Sequence, residues 1–352
     1  MTCEWHDKIF SVSETAFQDL ALEIFHFQYQ HNPVYRAFTE AIRVNPVFVN
    51  AIEKIPFLPI SFFKNHEIKS GEFSSETIFE SSGTTGSLPS RHFVKDNRIY
   101  SKSFRETFEK NYGPVNEYCI IGLLPSYLER DTSSLAFMVK ELIRLSGHPQ
   151  SGFYLDDFEK LKEVLTELEK KKQKTILLGV TFALLDFAEK FPMPLQSTII
   201  IETGGMKGRR KEMTRIEVHE KLKKAFSKNE IHAEYGMTEL LSQAYSKADG
   251  IFKCPAWMKV LVRDDGDPLD VQSLVGDLET GVQSLDSETR ITNHESRITT
   301  LTGALNIIDL ANVYSCSFIA TDDVGKIFSD CNFEVLGRID GSDLRGCSLM
   351  VL

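Results

Sequence analysis

Residues 80–89 read Glu80-Ser81-Ser82-Gly83-Thr84-Thr85-Gly86-Ser87-Leu88-Pro89, a run of small and hydroxyl-bearing residues after the strand-like pair Ile78-Phe79. Glycine lets a backbone approach a ligand closely, and Ser and Thr hydroxyls add hydrogen-bond donors with little bulk. Such a loop can direct backbone N–H groups at an oxyanion. It is not a Walker A loop, because the GxxxxGK[ST] pattern is absent. The stretch is interpreted as a phosphate-binding loop, with a flexible Ser/Gly linker as the alternative.

From residue 78 onward, apolar strand-like runs alternate with amphipathic helical segments. The alternation favours a layered α/β fold with substantial parallel pairing, and turn-like glycines follow several strand ends, where open α/β sheets place ligands. The predicted strands are 119–124, 175–180, 198–202, 259–262, 305–308, 317–320 and 333–336, and the predicted helices include 133–145, 156–172 and 209–226.

The first 70 residues are predicted to be mainly helical. Ser11 and Glu14 form a capping-box pattern before an amphipathic run that begins at Phe17. The apolar block 55–63 contains two prolines, so we expect a packed loop there rather than the interior of a helix or strand.

Residues 271–303 differ from the alternating strand-like and helical segments around them, because they contain no aromatic residue and no lysine. The pentapeptide that starts at Glu288 recurs in similar form at Glu295, seven residues later. Apolar residues on this spacing form one heptad seam. An oligomerisation or tip element and a solvated insertion both fit the pattern. The residues of the seam are Ile291, Ile298, Leu301 and Leu305.

The composition excludes several classes of protein. The chain has 352 residues, 42% of them hydrophobic and 26% charged, with a formal net charge of -10. This acidity argues against a nucleic-acid or anionic-membrane surface as the main partner. No apolar run is long enough for a signal peptide or a membrane span, and the six cysteines show no CxxC spacing. We therefore expect a cytoplasmic enzyme with free thiols.

A second motif is Glu234-Tyr235-Gly236-Met237-Thr238-Glu239, which lies about 150 residues after the first. Phosphoryl chemistry on ATP needs Mg²⁺, which takes hard oxygen ligands from one or two carboxylates and from phosphates. Glu239 can supply that carboxylate, and Thr238 a hydroxyl group for the α-phosphate. A Tyr-Gly turn is more often structural than catalytic, so this motif indicates a nucleotide site only together with the other motifs.

Two further motifs, Thr321-Asp322-Asp323-Val324-Gly325 and Gly337-Arg338-Ile339-Asp340, complete an ordered set of four. Together they resemble the core motifs of adenylate-forming enzymes, which include acyl-CoA synthetases, luciferases and adenylation domains. The resemblance covers residues 78–347. The closest branch resembles the acyl-protein synthetase (LuxE, fatty-acid protein ligase) family. The residues that support this branch are 202–207, 304–311, 316–323 and above all Leu344-Arg345-Gly346-Cys347-Ser348-Leu349-Met350.

The resemblance implies a role for each matching residue. The phosphate loop, comprising Ser81, Ser82, Gly83, Thr84, Thr85 and Gly86, would hold the β- and γ-phosphates of ATP. Gly204 and Gly205 match the glycine turn beside the adenine, and Tyr235 and Gly236 match the segment that flanks the base. Thr238 and Glu239 would contact the α-phosphate and Mg²⁺, Asp323 the ribose hydroxyls, and Arg338 the ribose and phosphate. Cys347 matches the acyl-accepting cysteine.

The sequence departs from the superfamily pattern at two places. Ser90 and Arg91, instead of the usual lysine, follow Pro89. The chain also stops at Leu352, where the C-terminal lid and its catalytic lysine would start, as is typical of the acyl-protein synthetase branch. We therefore expect an adenylate-forming core over 1–336, with 271–303 as an insertion, and a hinge-like tail over 337–352. Lys207 and Arg91 are candidate cations for adenylation.

Cys347 suits a nucleophile, because glycines 341 and 346 give the tail backbone freedom and Arg345 favours the thiolate. The alternative is a buried structural cysteine in an apolar tail. The other cysteines, and the histidines His92 and His232 beside the motifs, are interpreted as structural.

The expected activity is ATP-dependent conversion of a carboxylic acid, by resemblance a fatty acid, to an acyl-adenylate and then to a thioester on Cys347. By resemblance, an acyl reductase is the partner, and a homo-oligomer is possible. The alternatives are a ligase that uses coenzyme A or a carrier thiol, and a non-catalytic scaffold that binds a reductase.

Overall fold

A computed structural model describes residues 4–82, 88–125, 132–155, 157–204, 213–264, 267–274 and 300–339 of the chain. The helices are α1 (Glu4–Phe10), α2 (Phe17–His31), α3 (Pro33–Ala41), α4 (Phe62–Asn65), α5 (Asn97–Tyr112), α6 (Ser134–Ser146), α7 (Phe158–Lys170), α8 (Thr181–Lys190) and α9 (Arg215–Phe226). No described helix is both long enough and apolar enough to cross a membrane.

Fifteen strands are present in the same part of the chain. They are β1 (Leu58–Pro59), β2 (Thr77–Glu80), β3 (Arg91–Val94), β4 (Cys119–Leu123), β5 (Gly152–Phe153), β6 (Thr175–Val180), β7 (Thr198–Thr203), β8 (His232–Tyr235), β9 (Ala244–Ser246), β10 (Ile251–Phe252), β11 (Met258–Arg263), β12 (Val271–Gln272), β13 (Thr300–Asp309), β14 (Phe318–Phe328) and β15 (Phe333–Arg338).

One sheet has six strands in the order β5-β4-β6-β7-β8-β9, and all but the last pair are parallel. Every residue of β4 and β6 is buried, as expected for parallel strands covered on both faces. Parallel neighbours end at the same edge, so β7 and β8 bring their carboxyl ends together, with Thr203 facing Glu234. This confirms the predicted parallel α/β layer.

A second sheet has seven strands and is mainly antiparallel, in the order β10-β15-β14-β13-β11-β12. β1 adds to β14 in parallel, with Leu58 facing Ile319. The block 55–63 therefore contains a two-residue strand and the start of α4, not only a loop. Pro59 is tolerated because this strand ends at once, and Ile60 N–H donates to Ala320 O at 2.9 Å.

The predicted capping box at the start of α2 does not form. The helix begins at Phe17, and its N-cap Ala16 has no capping side chain. Ser11 Oγ instead donates to Asp7 O at 2.6 Å, so this serine completes the end of α1. Ser11 was predicted to cap the start of α2, whereas it lies at the end of α1.

The predicted heptad seam is wrong at its C-terminal end. Leu301 and Leu305 lie on β13, and Leu305 is fully buried in the sheet. Residues at i and i+4 share a face in a helix and also in a strand, so the spacing alone did not distinguish them. Both ends of the predicted 271–303 insertion belong to the sheet, since Val271 pairs with Arg263 and Thr300 with Phe328. Residues 275–299, with Ile291 and Ile298, lie outside the described residues.

Candidate functional site

The predicted phosphate loop connects β2 and β3, which form a separate two-stranded antiparallel hairpin. Ser81 and Ser90 close the base of the loop. Ser81 N–H donates to Ser90 O at 3.0 Å, and Ser90 N–H donates to Ser81 Oγ at 2.9 Å. Ser82 is exposed at the start of the loop. Gly83, Thr84, Thr85 and Gly86 lie outside the described residues.

The carboxyl edge of the parallel sheet carries the glycine-turn and Tyr-Gly motifs. Gly204 follows β7 with φ 76°, a left-handed conformation that favours glycine. Its carbonyl accepts a hydrogen bond from Thr181 Oγ1 at 2.9 Å. Gly236 follows β8, where an added Cβ would lie 2.5 Å from Glu234 Oε1. The backbone conformation therefore favours glycine at 204, and at 236 any larger residue would have to displace the Glu234 carboxyl group. Gly205 and Lys207 lie outside the described residues.

Glu234 is a buried carboxyl group at this edge. Its Oε2 accepts a hydrogen bond from the Thr203 hydroxyl of the neighbouring strand. Burial raises the pKa of Glu234 to about 7, because desolvation disfavours the charged form. Glu234 therefore holds its proton more tightly than an ordinary carboxyl group, and its hydrogen bond with Thr203 joins the ends of β7 and β8.

The two sheets are joined by a hydrogen bond between Tyr235 and Asp323. Tyr235 Oη donates to Asp323 Oδ2 at 2.8 Å, and both side chains are buried. Across the β14–β15 pair Asp323 faces Arg338, whose Nε lies 3.5 Å from Asp323 Oδ1 and whose Nη2 donates to Asp322 Oδ2 at 2.9 Å. Three predicted nucleotide-binding residues from distant parts of the chain therefore form one cluster.

A second contact joins the phosphate-loop hairpin to the Thr238-Glu239 turn. His92, on β3, lies with its Nδ1 2.8 Å from the carbonyl oxygen of Thr238. A carbonyl only accepts, so Nδ1 carries the proton and Nε2 is left with its lone pair. Nε2 is buried without a hydrogen-bond partner among the described residues. Burial lowers the pKa of His92 to about 4, so the ring is neutral near pH 7.

Glu239 is 1% exposed, in the turn after β8. Its backbone carbonyl accepts from Asn312 Nδ2 at 2.8 Å. Asp309, at the end of β13, accepts from Leu241 N–H at 2.8 Å and from the Ser242 hydroxyl at 2.6 Å. Burial raises the pKa of Asp309 to about 6. The seven-stranded sheet thus holds the segment that carries Thr238 and Glu239 in place.

Three residues of this assembly were not assigned to it by sequence reasoning: His92, Asp309 and Asn312. His92 was interpreted as structural, and the structure gives it a specific connection to Thr238. Asp309 lies in the segment 304–311 that resembles the acyl-protein synthetase branch, but the resemblance gave it no individual role.

The Mg²⁺ site predicted at Glu239 can be tested against the available donors. In the part of the chain that the structure describes, no three His, Cys, Asp or Glu side chains lie close enough to hold a metal ion by themselves. Magnesium commonly binds through one or two carboxylates together with substrate phosphates and water. A site with one protein carboxylate fits that kind of binding and does not fit a metal cage made by protein alone. Cys347 lies outside the described residues.

Comparisons with known proteins identify the family and the fold of this chain. A family model described as acyl-protein synthetase, LuxE matches residues 9–352. A sequence search of curated proteins finds no match. Among solved structures, 2-hydroxyisobutyryl-CoA ligase in an open conformation, in complex with 2-HIB-AMP and CoA, superposes with a TM-score of 0.64 at 12% identity. The alignment covers 94% of this chain and 71% of the ligase.

The same ligase in the postadenylation state, with R3-HIB-AMP, superposes with a TM-score of 0.60 at 12% identity, covering 97% of this chain and 71% of the ligase. At this identity the likeness shows the fold alone, and it confirms the predicted layered α/β core. The family match extends over nearly the whole chain. The chain therefore belongs to the LuxE acyl-protein synthetase family and is an acid-adenylating ligase.

Proposed function

We propose that this protein uses ATP to activate a carboxylic acid as an acyl-adenylate and then transfers the acyl group to its own Cys347. The observation that supports the proposal is the convergence of four separate motifs. The Tyr235–Asp323 and His92–Thr238 contacts connect the phosphate-loop hairpin, the edge of the parallel sheet and the β14–β15 pair.

ATP is proposed to lie across these motifs. The backbone and hydroxyl groups of residues 81–86 would donate hydrogen bonds to its β- and γ-phosphates. Tyr235 and Gly236, with Gly204 and Gly205, would flank the base. The Asp323 carboxylate is a strong acceptor for ribose hydroxyls, and Arg338 supplies positive charge beside it. The buried Tyr235–Asp323 bond orients that carboxylate before the ligand arrives.

In the first step a carboxylate oxygen of the acid attacks the α-phosphorus of ATP, and the bond from that phosphorus to the pyrophosphate oxygen breaks. The protein contributes positioning and charge stabilisation rather than covalent chemistry. Thr238 would donate to an α-phosphate oxygen, and Glu239 would hold Mg²⁺. When bound there, Mg²⁺ would neutralise charge on the phosphate oxygens.

In the second step the thiolate of Cys347 attacks the acyl carbonyl carbon, the bond from that carbon to the AMP oxygen breaks, and a thioester forms. Arg345, two residues away, favours the thiolate. The acid is proposed to be a fatty acid and the recipient of the thioester an acyl reductase, both from the family resemblance.

The test measures two products. Pyrophosphate release is followed with a panel of acids of increasing chain length, and the intact mass of the protein is recorded after each incubation. We expect acid-dependent pyrophosphate release and an acyl adduct that hydroxylamine removes. Cys347→Ser should lose the adduct and keep pyrophosphate release, whereas the matched control Cys331→Ser, at an exposed cysteine, should keep both.

Two outcomes would contradict the proposal. If pyrophosphate is released without a protein adduct, and AMP release requires added coenzyme A, then the acyl acceptor is the thiol of coenzyme A and not Cys347. No acid-dependent pyrophosphate release with any acid would indicate a scaffold. Co-purification with an acyl reductase encoded nearby tests the partner separately, and its absence would remove that part of the proposal.

A further inference from the structure

The strand that carries Asp323 bulges where it passes β13. The register of the two strands runs from Ala304 opposite Val324 to Asn306 opposite Ala320. This interval is two steps long on β13 and four steps long on β14, so β14 contains two extra residues there. Extra residues in one strand interrupt the hydrogen-bond ladder and change the direction in which side chains project.

The bulge, residues 321–323, keeps its contacts with the strand on its other side. Asp323 faces Arg338 of β15, and Ile339 N–H donates to Asp322 O at 2.9 Å. On the β13 side the displaced backbone groups need other partners, because buried backbone carbonyl groups are almost always hydrogen-bonded. The shape of the bulge therefore depends on the side chains that replace the ladder on that side.

Two side chains supply these partners. Arg263, the last residue of β11, reaches over β13 and donates from Nη1 to Leu305 O at 3.1 Å and from Nη2 to Thr321 O at 2.5 Å. Its Nη1 also donates to Asn306 Oδ1 at 2.7 Å. The Thr321 hydroxyl donates to Leu305 O at 2.8 Å and accepts from Asp323 N–H at 3.2 Å. A guanidinium group and a hydroxyl group thus tie the bulge to β13.

The shape of the guanidinium group suits this position. Arg263 is only 9% exposed, and a buried charge is tolerated where it is hydrogen-bonded. Its donors form a planar, rigid fork, so Nη1 and Nη2 can reach carbonyl groups on two different strands at a fixed separation. A lysine would keep the charge, but its donors sit on a single nitrogen and cannot span the same two acceptors.

The bulge sets where the Asp323 carboxylate lies relative to Tyr235. Tyr235 Oη donates to Asp323 Oδ2 at 2.8 Å. The Tyr235 ring packs on Phe252 and Phe333, with centroids 5.8 and 5.3 Å away, so the tyrosine is held from outside the bulge. The carboxylate meets this hydroxyl because the backbone two residues earlier, at Thr321, is fixed to β11 and β13.

We propose that Arg263 is a positioning residue for nucleotide recognition. It fixes the bulge through the Thr321 carbonyl and thereby directs the Asp323 carboxylate at the ribose hydroxyls of ATP. The proposal rests on the proposed function, because Asp323 contacts ribose only if ATP binds at this site. It adds to the site a residue from β11, a strand that carries none of the four motifs.

The test measures how strongly the protein distinguishes ATP from 2′-deoxy-ATP and 3′-deoxy-ATP. Dissociation constants are measured by calorimetry with the full-length protein and Mg²⁺, and acid-dependent pyrophosphate release is measured with each nucleotide. For wild type we expect ATP to bind about 10-fold or more tightly than at least one analogue, because a hydrogen bond between a hydroxyl and a charged group is lost. The ratio isolates the ribose contact, since a general loss of stability affects all three nucleotides alike.

Three variants are compared with wild type. Arg263→Lys should raise the dissociation constant for ATP by about 5-fold or more and reduce the preference over that analogue to about 3-fold or less. Thr321→Val removes one hydroxyl from the same bulge and should lower the preference in the same direction. Leu165→Ala removes a buried side chain from α7, a helix without site residues, and should lower stability while keeping the wild-type preference. Urea unfolding reports whether each variant is folded.

The outcomes separate this inference from the proposed function. A wild type that binds no ATP removes both. If wild type releases pyrophosphate but Arg263→Lys and Thr321→Val keep its preference for ATP, the inference is refuted and the proposed function stands. The same holds if active wild type does not distinguish ATP from either analogue, because there is then no ribose contact to position. Should Arg263→Lys fail to fold, Thr321→Val decides alone.

Discussion

Replacing Tyr235 with phenylalanine removes the hydroxyl that connects the two sheets and leaves the ring in place. The lost bond runs from Tyr235 Oη to Asp323 Oδ2 at 2.8 Å between two buried side chains. Hydrogen bonds to charged groups contribute about 1.5–3 kcal/mol. Arg338 Nε remains 3.5 Å from the other carboxylate oxygen, so we expect the lower half of that range. The free energy of unfolding should fall by about 1.5–2 kcal/mol.

The same substitution should weaken ATP binding, because the hydroxyl holds the carboxylate proposed to contact ribose. A loss of about 1–2 kcal/mol in binding corresponds to roughly a 5–30-fold rise in the KM for ATP. Contacts of the ring with Phe252 and Phe333 are kept, so the fold itself should persist. Urea unfolding measures the first effect, and initial rates of acid-dependent pyrophosphate release at varied ATP measure the second.

Tyr35→Phe is the matched control. Tyr35 is also fully buried, and its hydroxyl donates to the neutral carbonyl of Pro56 at 2.6 Å. It should lower the free energy of unfolding by about 0.5–1.5 kcal/mol and leave the KM for ATP unchanged. If Tyr235→Phe changes the KM for ATP no more than Tyr35→Phe does, the hydroxyl does not organise a nucleotide site and the reasoning is refuted.

Three further predictions test other parts of the site. Gly236→Ala places a Cβ 2.5 Å from Glu234 Oε1 and should lower the free energy of unfolding, measured in urea, by about 1–3 kcal/mol. Gly337→Ala is the control, because no atom lies within 4 Å of its added Cβ. Equal losses of stability in the two variants would refute the steric argument. Burial raises the pKa of Glu234 to about 7 from its ordinary 4.5. The protonated form therefore stabilises the fold below pH 4.5, and this contribution is lost as the pH rises through 7. The difference in unfolding free energy between wild type and Glu234→Gln should fall between pH 4.5 and 7, and a difference independent of pH would contradict the prediction. His92→Asn can still donate to the carbonyl of Thr238, whereas His92→Phe cannot, so pyrophosphate release should fall more in the Phe variant; equal rates would mean that the His92–Thr238 contact does not position the turn.

Local patterns were sufficient for the parallel sheet. β4, β6 and β7 were predicted within one residue at each end, because uninterrupted apolar runs bounded by polar residues are typical of strands buried on both faces. The start of α2 and the heptad seam through Leu301 and Leu305 were predicted wrongly, because a serine near a helix end and an i, i+4 apolar spacing each fit more than one local structure. The strand predicted at 305–308 was correct, although β13 begins earlier, at Thr300.

The sequence by itself determined the family, since the four ordered motifs resemble those of adenylate-forming enzymes and the acyl-protein synthetase model matches residues 9–352. Only the tertiary structure decided which groups meet. His92 contacts Thr238 across 146 residues of chain, and Tyr235 contacts Asp323 across 88. Such contacts depend on how one sheet lies against another, and that arrangement is set by the packing of the whole core rather than by any local stretch.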